Sequence, residues 1–178
     1  NALLDQPGMT TSKEIRDKAM LELLYATGIR VSELIGLELS DLNMQVGYIT
    51  CRDGQKERMV PFGKPAKQAL SVYLEKGRHE LLKGKESQWL FTNCSGKAMS
   101  RQGFWKIIKY YGEKAGIQAD ITPHTLRHSF AAHLIRGGAD IHAVQAMLGH
   151  SDSTTTHMYA AYSGNTVGET YRAALPRK

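Results

Sequence analysis

The chain has 178 residues, of which 42% are hydrophobic and 22% charged, a composition that suits one globular domain with a sizeable core. No apolar run approaches the roughly 20 residues that a membrane-spanning helix needs, so no membrane partner is expected. The formal net charge of +6 favours a polyanionic partner such as nucleic acid. The two cysteines form no zinc-binding pattern, and two free thiols predict a reducing compartment, which indicates the cytoplasm. We expect both cysteines to be buried and inert.

The N-terminal third of the chain has helical periodicity. Residues 1–9 are interpreted as a linker. Thr11 and Glu14 then form a capping-box pair, after which apolar residues recur at helical spacing as far as Gly28. The pattern therefore predicts a first helix that ends at Gly28, and a short second helix is expected from Ser32.

The segment from Val46 to Pro61 has a different character, typical of strands. Residues 48–51 (Tyr-Ile-Thr-Cys) and the pair at 59–60 (Met-Val) are rich in residues that favour strands. Asp53 and Gly54 lie between them, and a tight turn needs the positive φ that glycine adopts easily. The segment is therefore predicted to form a β-hairpin.

The remaining segments are mostly predicted to be helical. A short buried strand is expected at residues 89–91 (Trp-Leu-Phe). The predicted helices span Lys64 to Leu82, Ser100 to Gly116, Pro123 to Ile135, Asp140 to near Gly149, Thr154 to Tyr159 and Val167 to Ala174. The sum is a mainly α protein with a small antiparallel β-sheet, an α+β fold.

His124 and Arg127 are the first residues with chemical potential, because an i, i+3 spacing places them on one face of a helix. They lie near its N-terminus, where free backbone N–H groups and the helix dipole favour an anion. A guanidinium matches phosphate oxygens, and an imidazole transfers protons near neutral pH. Alone, such a pair is more often an ordinary surface feature than a functional site.

Three further residues strengthen this hypothesis. Arg30 lies at a glycine-bounded corner between two predicted helices, and His150 follows Gly149, with Tyr159 nine residues later. A phenol has a pKa near 10, so it needs cationic neighbours or a base to attack at neutral pH. Two guanidinium and two imidazole groups could activate it and clamp a phosphate without metal or other cofactor.

At these residues the sequence resembles a known family. The segments ATGIRVSEL, HTLRHSFAAHL and LGHSDSTTTHMY are similar to the three signature boxes of tyrosine recombinases, most closely those of the Xer type. The resemblance covers the chain from about Asp17 to Tyr159, in the right order and spacing. It implies the catalytic-domain fold of these DNA breaking and rejoining enzymes.

The resemblance also implies a role for each residue of the boxes. Arg30 and Arg127 would clamp the scissile phosphate, while His124 and His150 would complete the pocket and assist proton transfer. Tyr159 would be the nucleophile that forms a covalent 3′-phosphotyrosine with DNA. The implied partners are double-stranded DNA and further recombinase protomers, in a homo- or hetero-tetramer, and neither metal nor cofactor is expected. Glu33, in the first box, is expected to orient its neighbours.

The hairpin departs from the family pattern. Xer hairpins usually read Gly-Lys-Gly-Asn-Lys-Glu-Arg, and the first lysine supplies the proton for the departing 5′-hydroxyl. This chain has Arg-Asp-Gly-Gln-Lys-Glu-Arg at residues 52–58, so Asp53 takes the place of that lysine. Lys56 is our candidate for the general acid, with a simple phosphate contact as the alternative. Arg52 is a possible cationic substitute.

Further DNA contacts are expected outside the catalytic residues. Ser100, Arg101 and Gln102 open a predicted helix, where arginine and glutamine side chains can reach base edges in the major groove. The alternative is a solvated helix start. Arg52 and Arg58 on the hairpin are expected to add phosphate contacts.

We divide the chain into three parts. Residues 1–12 are interpreted as the linker from a missing N-terminal DNA-binding (core-binding) domain, and residues 13–162 as the catalytic domain. Residues 163–178 are predicted to form an amphipathic tail helix, which in similar enzymes docks into a neighbouring protomer and which could also fold back on its own domain.

The expected activity is site-specific recombination of the Xer type, and three alternatives stay open. A phage or transposon integrase of the same family would use the same residues. A type IB topoisomerase would share the chemistry but relax DNA without exchanging partners. A DNA-binding module that has lost catalysis would explain the missing hairpin lysine. The sequence does not distinguish chromosome dimer resolution from element mobility.

Overall fold

The computed structural model describes residues 2–117, 121–138 and 140–148, with the side chains of residues 123, 124, 133 and 146–148 excepted. The helices are α1 (Ser12–Thr27), α2 (Val31–Ile35), α3 (Lys64–Val72), α4 (Arg78–Leu82), α5 (Arg101–Lys114), α6 (Pro123–Arg136) and α7 (Ile141–Leu148). A 3₁₀ turn at Leu39–Asp41 precedes strands β1 (Leu42–Asn43), β2 (Tyr48–Asp53) and β3 (Lys56–Pro61). The prediction of a mainly α protein with a small antiparallel sheet is confirmed.

Helix α1 is the central element of the core, and both of its predicted ends are confirmed. The Thr11 hydroxyl accepts a hydrogen bond from the Glu14 backbone N–H (3.2 Å) and donates one to the Glu14 carboxylate (3.1 Å). At the other end Gly28 adopts φ 65°, and its N–H donates to the Leu24 carbonyl. Because α1 packs against α3, α4 and α6, twelve of its sixteen residues are buried.

The three strands form one antiparallel sheet in the order β1–β2–β3. Asp53 pairs with Lys56, which leaves a two-residue turn in which Gly54 has φ 64°. The predicted hairpin is therefore confirmed, with Asp53 as the last residue of β2. Strand β1 was not predicted, because two residues are too few to show alternation.

The predicted helix from Lys64 to Leu82 is present, but one turn of it is a π-helix at Tyr73–Gly77. Gly77 lies against α1, and a Cβ atom there would be only 2.8 Å from Ile15 Cγ2. The missing side chain therefore allows close packing of this turn on α1. The π turn also contains the fully buried Tyr73, whose hydroxyl donates to the Leu90 carbonyl at 2.6 Å.

The predicted strand at residues 89–91 is wrong, although its burial was predicted correctly. Leu90 and Phe91 are fully buried, but Trp89 forms only an isolated bridge with Glu38. The backbone bonds are few: the Leu90 N–H donates to the Leu37 carbonyl and the Leu39 N–H donates to the Gln88 carbonyl, both at 2.9 Å. The Arg78 guanidinium adds a bond to the Trp89 carbonyl at 2.8 Å. The apolar residues of this segment therefore indicate burial, and its backbone groups are hydrogen-bonded without forming a regular strand.

The C-terminal half agrees with the predicted helices as far as it is described. The Ser100 hydroxyl caps α5 by accepting from the Gly103 N–H at 2.9 Å, and α6 and α7 follow the predicted segments. The helices predicted at 154–159 and 167–174 lie outside the described residues. Nowhere in the described ranges is a helix long and apolar enough to cross a membrane.

Two smaller expectations concern the N-terminus and the cysteines. Leu3 and Leu4, in the segment interpreted as a linker, are buried against the core. Both cysteines are free thiols; Cys51 is buried as expected, but Cys94 is exposed, so the expectation that both are buried is wrong.

Replacing Tyr73 by phenylalanine tests the contact between the π turn and residues 89–91. We expect Tyr73→Phe to lower the free energy of unfolding by about 1–2 kcal/mol, because the buried Leu90 carbonyl loses its donor. Tyr110→Phe is the matched control, since Tyr110 is 58% exposed, and it should change stability by less than about 0.5 kcal/mol. Urea denaturation measures both, and equal effects would contradict the assignment.

Candidate active site

Arg30 is held at the corner between α1 and α2. Gly28 ends α1 in the left-handed conformation, Ile29 is fully buried, and Arg30 becomes the N-cap residue of α2 with extended backbone angles. Its backbone N–H donates to a Glu33 carboxylate oxygen at 2.9 Å, which fixes the corner. The Arg30 side chain is 38% exposed, so its guanidinium is accessible from solvent.

Arg127 reaches the same corner from α6. Its Nε donates to the Gly28 carbonyl at 2.6 Å, although 99 residues separate the two along the chain. This bond orients the guanidinium in the second turn of α6, where it is partly buried. The structure thus brings Arg127 to the corner that carries Arg30, as the phosphate-clamp hypothesis requires.

The positive charges at this corner act on one another. Burial lowers the pKa of the Arg127 guanidinium, and the nearby positive charge of Arg30 lowers it further, to about 10. The Glu33 carboxylate acts in the opposite direction, and Arg127 is still a cation at neutral pH. A lowered pKa means that the surroundings disfavour the charged form. An anion bound between the two arginines would relieve this, so the corner is electrostatically suited to a phosphate.

Glu33 connects the corner to the hairpin. Its Oε2 and Oε1 atoms accept from Arg58 Nη1 at 2.5 Å and from Arg58 Nη2 at 2.9 Å, a bidentate pair between α2 and β3. Burial acts to raise the pKa of Glu33, but the hydrogen bonds from Arg58 and from the Arg30 N–H prevail, and the pKa is lowered. The carboxylate is therefore ionised at neutral pH and holds both partners in place.

The register of the hairpin separates its charged residues onto two faces. Cys51 pairs with Arg58 and Asp53 pairs with Lys56, so these four side chains share the face that meets α2. Arg52 lies on the opposite face, where it forms ion pairs with Asp41 (2.7 Å) and Glu57 (3.3 Å). Lys56 is thus on the face that carries the Arg30 corner, whereas Arg52 is not.

Asp53, which takes the place of the usual hairpin lysine, contacts the candidate clamp directly. Its Oδ2 lies 3.9 Å from Arg30 Nη1. Sequence reasoning missed this pair and also the pair between Arg58 and Glu33. Both depend on how the hairpin folds over α2, and opposite charges in two separate motifs were the only signal of them.

The proposed DNA-contacting residues differ in how available they are. Arg101 and Gln102 are exposed at the start of α5, while the Ser100 hydroxyl caps that helix. Arg58 is engaged with Glu33 and Arg52 with Asp41 and Glu57. Their contacts to DNA stay predictions.

The other catalytic candidates lie at the limits of the described structure. His124 is in the first turn of α6, three residues before Arg127, and only its backbone is described. His150 and Tyr159 lie outside the described residues. Among the side chains that are described, no group of three or more His, Cys, Asp or Glu residues could hold a metal ion.

Comparisons with known proteins point to one family. The model of the phage integrase family matches residues 1–165. A tyrosine recombinase XerD from Staphylococcus epidermidis is 50% identical over 177 residues, which cover 99% of this chain and 60% of that protein. The chain therefore spans about three fifths of the length of this relative.

Two solved structures have a similar fold. The crystal structure of XerA recombinase has 32% identity and a TM-score of 0.77, over 99% of this chain and 63% of that chain. The XerH site-specific recombinase, in a pre-cleavage complex with its difH substrate, has 26% identity and a TM-score of 0.75, over 88% of this chain and 46% of that chain. These matches confirm the expected catalytic-domain fold.

Replacing Glu33 by glutamine tests the link between α2 and the hairpin. At pH 7 we expect Glu33→Gln to lower the free energy of unfolding by about 2–3 kcal/mol, because Arg58, 16% exposed, loses the carboxylate that accepts both bonds of its bidentate pair. Glu57→Gln is the control, since the Glu57 side chain is 61% exposed and its loss should cost less than about 1 kcal/mol.

The same pair of variants gives a pH dependence. Because the fold lowers the pKa of Glu33, its stabilisation is complete above the ordinary glutamate pKa of about 4.3 and is lost as the pH falls further. Urea denaturation at decreasing pH should therefore show the gap between wild type and Glu33→Gln closing. A gap of constant size would contradict an ionised Glu33.

Proposed function

Since the chain belongs to the phage integrase family, we propose that it is a site-specific DNA recombinase of the Xer type. In this proposal it cleaves and rejoins double-stranded DNA through a covalent 3′-phosphotyrosine. The observation that carries the proposal is the meeting of Arg30 and Arg127 at one corner, through the bond from Arg127 to the Gly28 carbonyl.

The two arginines bind the nonbridging oxygens of the scissile phosphate. Each guanidinium offers donors in a fixed fork, and negative charge grows on these oxygens as the nucleophile attacks. Because the corner is fixed before DNA arrives, the donors need little reorganisation in the transition state. His124, in the first turn of α6, and His150 are proposed to complete this pocket and to assist proton transfer.

Tyr159 is the proposed nucleophile. Its phenolic oxygen attacks phosphorus and loses its proton to a neighbouring base, while the bond from phosphorus to the 5′ oxygen breaks. The phosphotyrosine retains the energy of the broken bond, so no nucleotide is consumed. A 5′-hydroxyl of another strand then attacks phosphorus, restores a phosphodiester and releases the tyrosine.

Lys56 is the proposed general acid for the departing 5′ oxygen. It lies directly opposite Asp53, on the hairpin face that meets the Arg30 corner. Asp53 itself has no ammonium group to donate a proton. Arg52 is a poor substitute, because its guanidinium points to the other face and pairs with Asp41 and Glu57.

The wider assembly is also part of the proposal. Arg101 and Gln102 at the exposed start of α5 are proposed to contact DNA bases, and the XerH recombinase was solved bound to its difH substrate. Residues 1–12, 13–162 and 163–178 are proposed to act as linker, catalytic domain and tail helix. The tail would join protomers in a tetramer, and the expected location is the cytoplasm.

A DNA-binding module without cleavage activity is the second candidate. The observation that favours it is the aspartate in place of the usual hairpin lysine. It would keep the arginine corner and bind DNA without forming a covalent bond. Trapping of a covalent adduct separates the two candidates.

The test of the nucleophile uses nicked duplexes with a randomised central region. Cleavage beside the nick lets a short fragment diffuse away, so the protein should remain covalently attached to DNA on a denaturing gel. Tyr159→Phe should give no adduct, because it lacks the attacking oxygen. Tyr162, the next tyrosine along the chain, lies outside the three boxes, and Tyr162→Phe should give the wild-type amount. A wild type without adduct, or an adduct with Tyr159→Phe, would refute the proposed enzyme.

The test of the general acid compares two leaving groups. Lys56→Ala should slow cleavage about 10²- to 10⁴-fold on normal DNA, the usual contribution of a general acid. A substrate with sulfur in place of the 5′ bridging oxygen should restore the rate, since a thiolate leaves without a proton. Arg52→Ala is the control and should change both rates alike. Slow cleavage by Lys56→Ala on both substrates would mean that Lys56 contacts DNA and does not donate the proton.

A further inference from the structure

We propose that Asp53 is a built-in competitor for the phosphate at Arg30, so that DNA must displace this carboxylate before Arg30 can act as a clamp. The inference rests on the proposed function and deepens it. It concerns which anions the site accepts and how tightly it accepts them.

The geometry around Arg30 supports this role. Arg30 Nη1 has two carboxylate neighbours, Glu33 Oε1 at 3.8 Å and Asp53 Oδ2 at 3.9 Å. Glu33 is buried and holds Arg58 in a bidentate pair, so it cannot leave without cost. Asp53 is 69% exposed and lies at the end of its strand, and it can therefore move aside.

The hairpin is built to keep the Asp53 carboxylate near Arg30. The bidentate contact from Arg58 to Glu33 anchors β3 on α2. Asp53 and Lys56 are the next pair along the same face, followed at once by the tight turn at Gly54. This contact therefore fixes the position of the hairpin tip. It also determines which side of Arg30 the Asp53 carboxylate covers.

The expected strength of the competition is modest. An ion pair between exposed groups at this distance is weak, and an effect of about two- to fivefold on anion affinity corresponds to the usual range. A small free anion depends on Arg30 for its binding, so the competition from Asp53 lowers its affinity by this full factor. A phosphate on DNA gains further contacts and displaces Asp53 more easily, so the carboxylate discriminates against small free anions.

The chain offers a matched control for this inference. Glu57 carries the same charge, lies four residues from Asp53 on the same hairpin and is similarly exposed. It lies on the opposite face and pairs with Arg52. Asp53→Asn and Glu57→Gln therefore remove the same charge from the hairpin, but only the first removes it from Arg30.

The experiment titrates inorganic sulfate into the 178-residue chain and follows the Nε–H resonance of Arg30 by NMR, with Arg30→Lys to assign it. We expect the sulfate concentration at the midpoint to fall about two- to fivefold in Asp53→Asn and to stay unchanged in Glu57→Gln. Fluorescence anisotropy with a 30-base-pair duplex should show a smaller gain for Asp53→Asn at the same salt concentration.

Equal midpoints for the two variants, or a tighter midpoint with Glu57→Gln, would overturn the inference. So would an Arg30 resonance that sulfate does not shift in any of the three proteins. The sulfate measurement requires no cleavage, so it is independent of the covalent-adduct test. An adduct from wild type with equal sulfate midpoints refutes only the role of Asp53, whereas tighter sulfate binding by Asp53→Asn without any adduct refutes only the recombinase.

Discussion

The contact between Glu33 and Arg58 is the constraint on which the site depends. One carboxylate accepts from the Arg30 backbone at the start of α2 and from both terminal nitrogens of Arg58 on β3. It therefore fixes a helix N-terminus and a hairpin relative to each other. A two-stranded hairpin alone is marginally stable in water, so an anchor of this kind decides where its tip lies. The positions of Asp53 and Lys56 near Arg30 follow from it.

The balance of charge at the corner explains why an anion should bind there. Arg30, Arg58 and Arg127 meet around one buried carboxylate, and that carboxylate is committed to Arg58. Partial burial and the neighbouring charge of Arg30 both disfavour the charged form of Arg127, and its lowered pKa expresses this cost. Such a site gains more from a phosphate than an exposed cation would. The same concentration of positive charge explains why an additional carboxylate, Asp53, is tolerated beside Arg30.

Local features of the fold were predictable because neighbours in sequence determine them. Thr11 and Glu14 cap α1, and Gly54 permits the hairpin turn, through contacts a few residues apart. The π turn at residues 73–77 and the irregular path of residues 89–91 depend on contacts with distant parts of the chain. No periodicity encodes them. The convergence of Arg30 and Arg127 was predictable only from the family resemblance, since a bond across 99 residues leaves no local pattern.

The hairpin shows most clearly what the sequence leaves open. Five residues with basic or acidic side chains lie within seven positions and look equivalent as a charged tip: Arg52, Asp53, Lys56, Glu57 and Arg58. A strand alternates its faces at every residue, so the register assigns each of them a different partner. Arg52 is directed to Asp41, Arg58 to Glu33, and Asp53 to Arg30. Of these residues, only Lys56 has a cationic group at the hairpin tip and also lies on the face that meets α2. The register of the strands, more than the charge, therefore makes Lys56 the candidate proton donor.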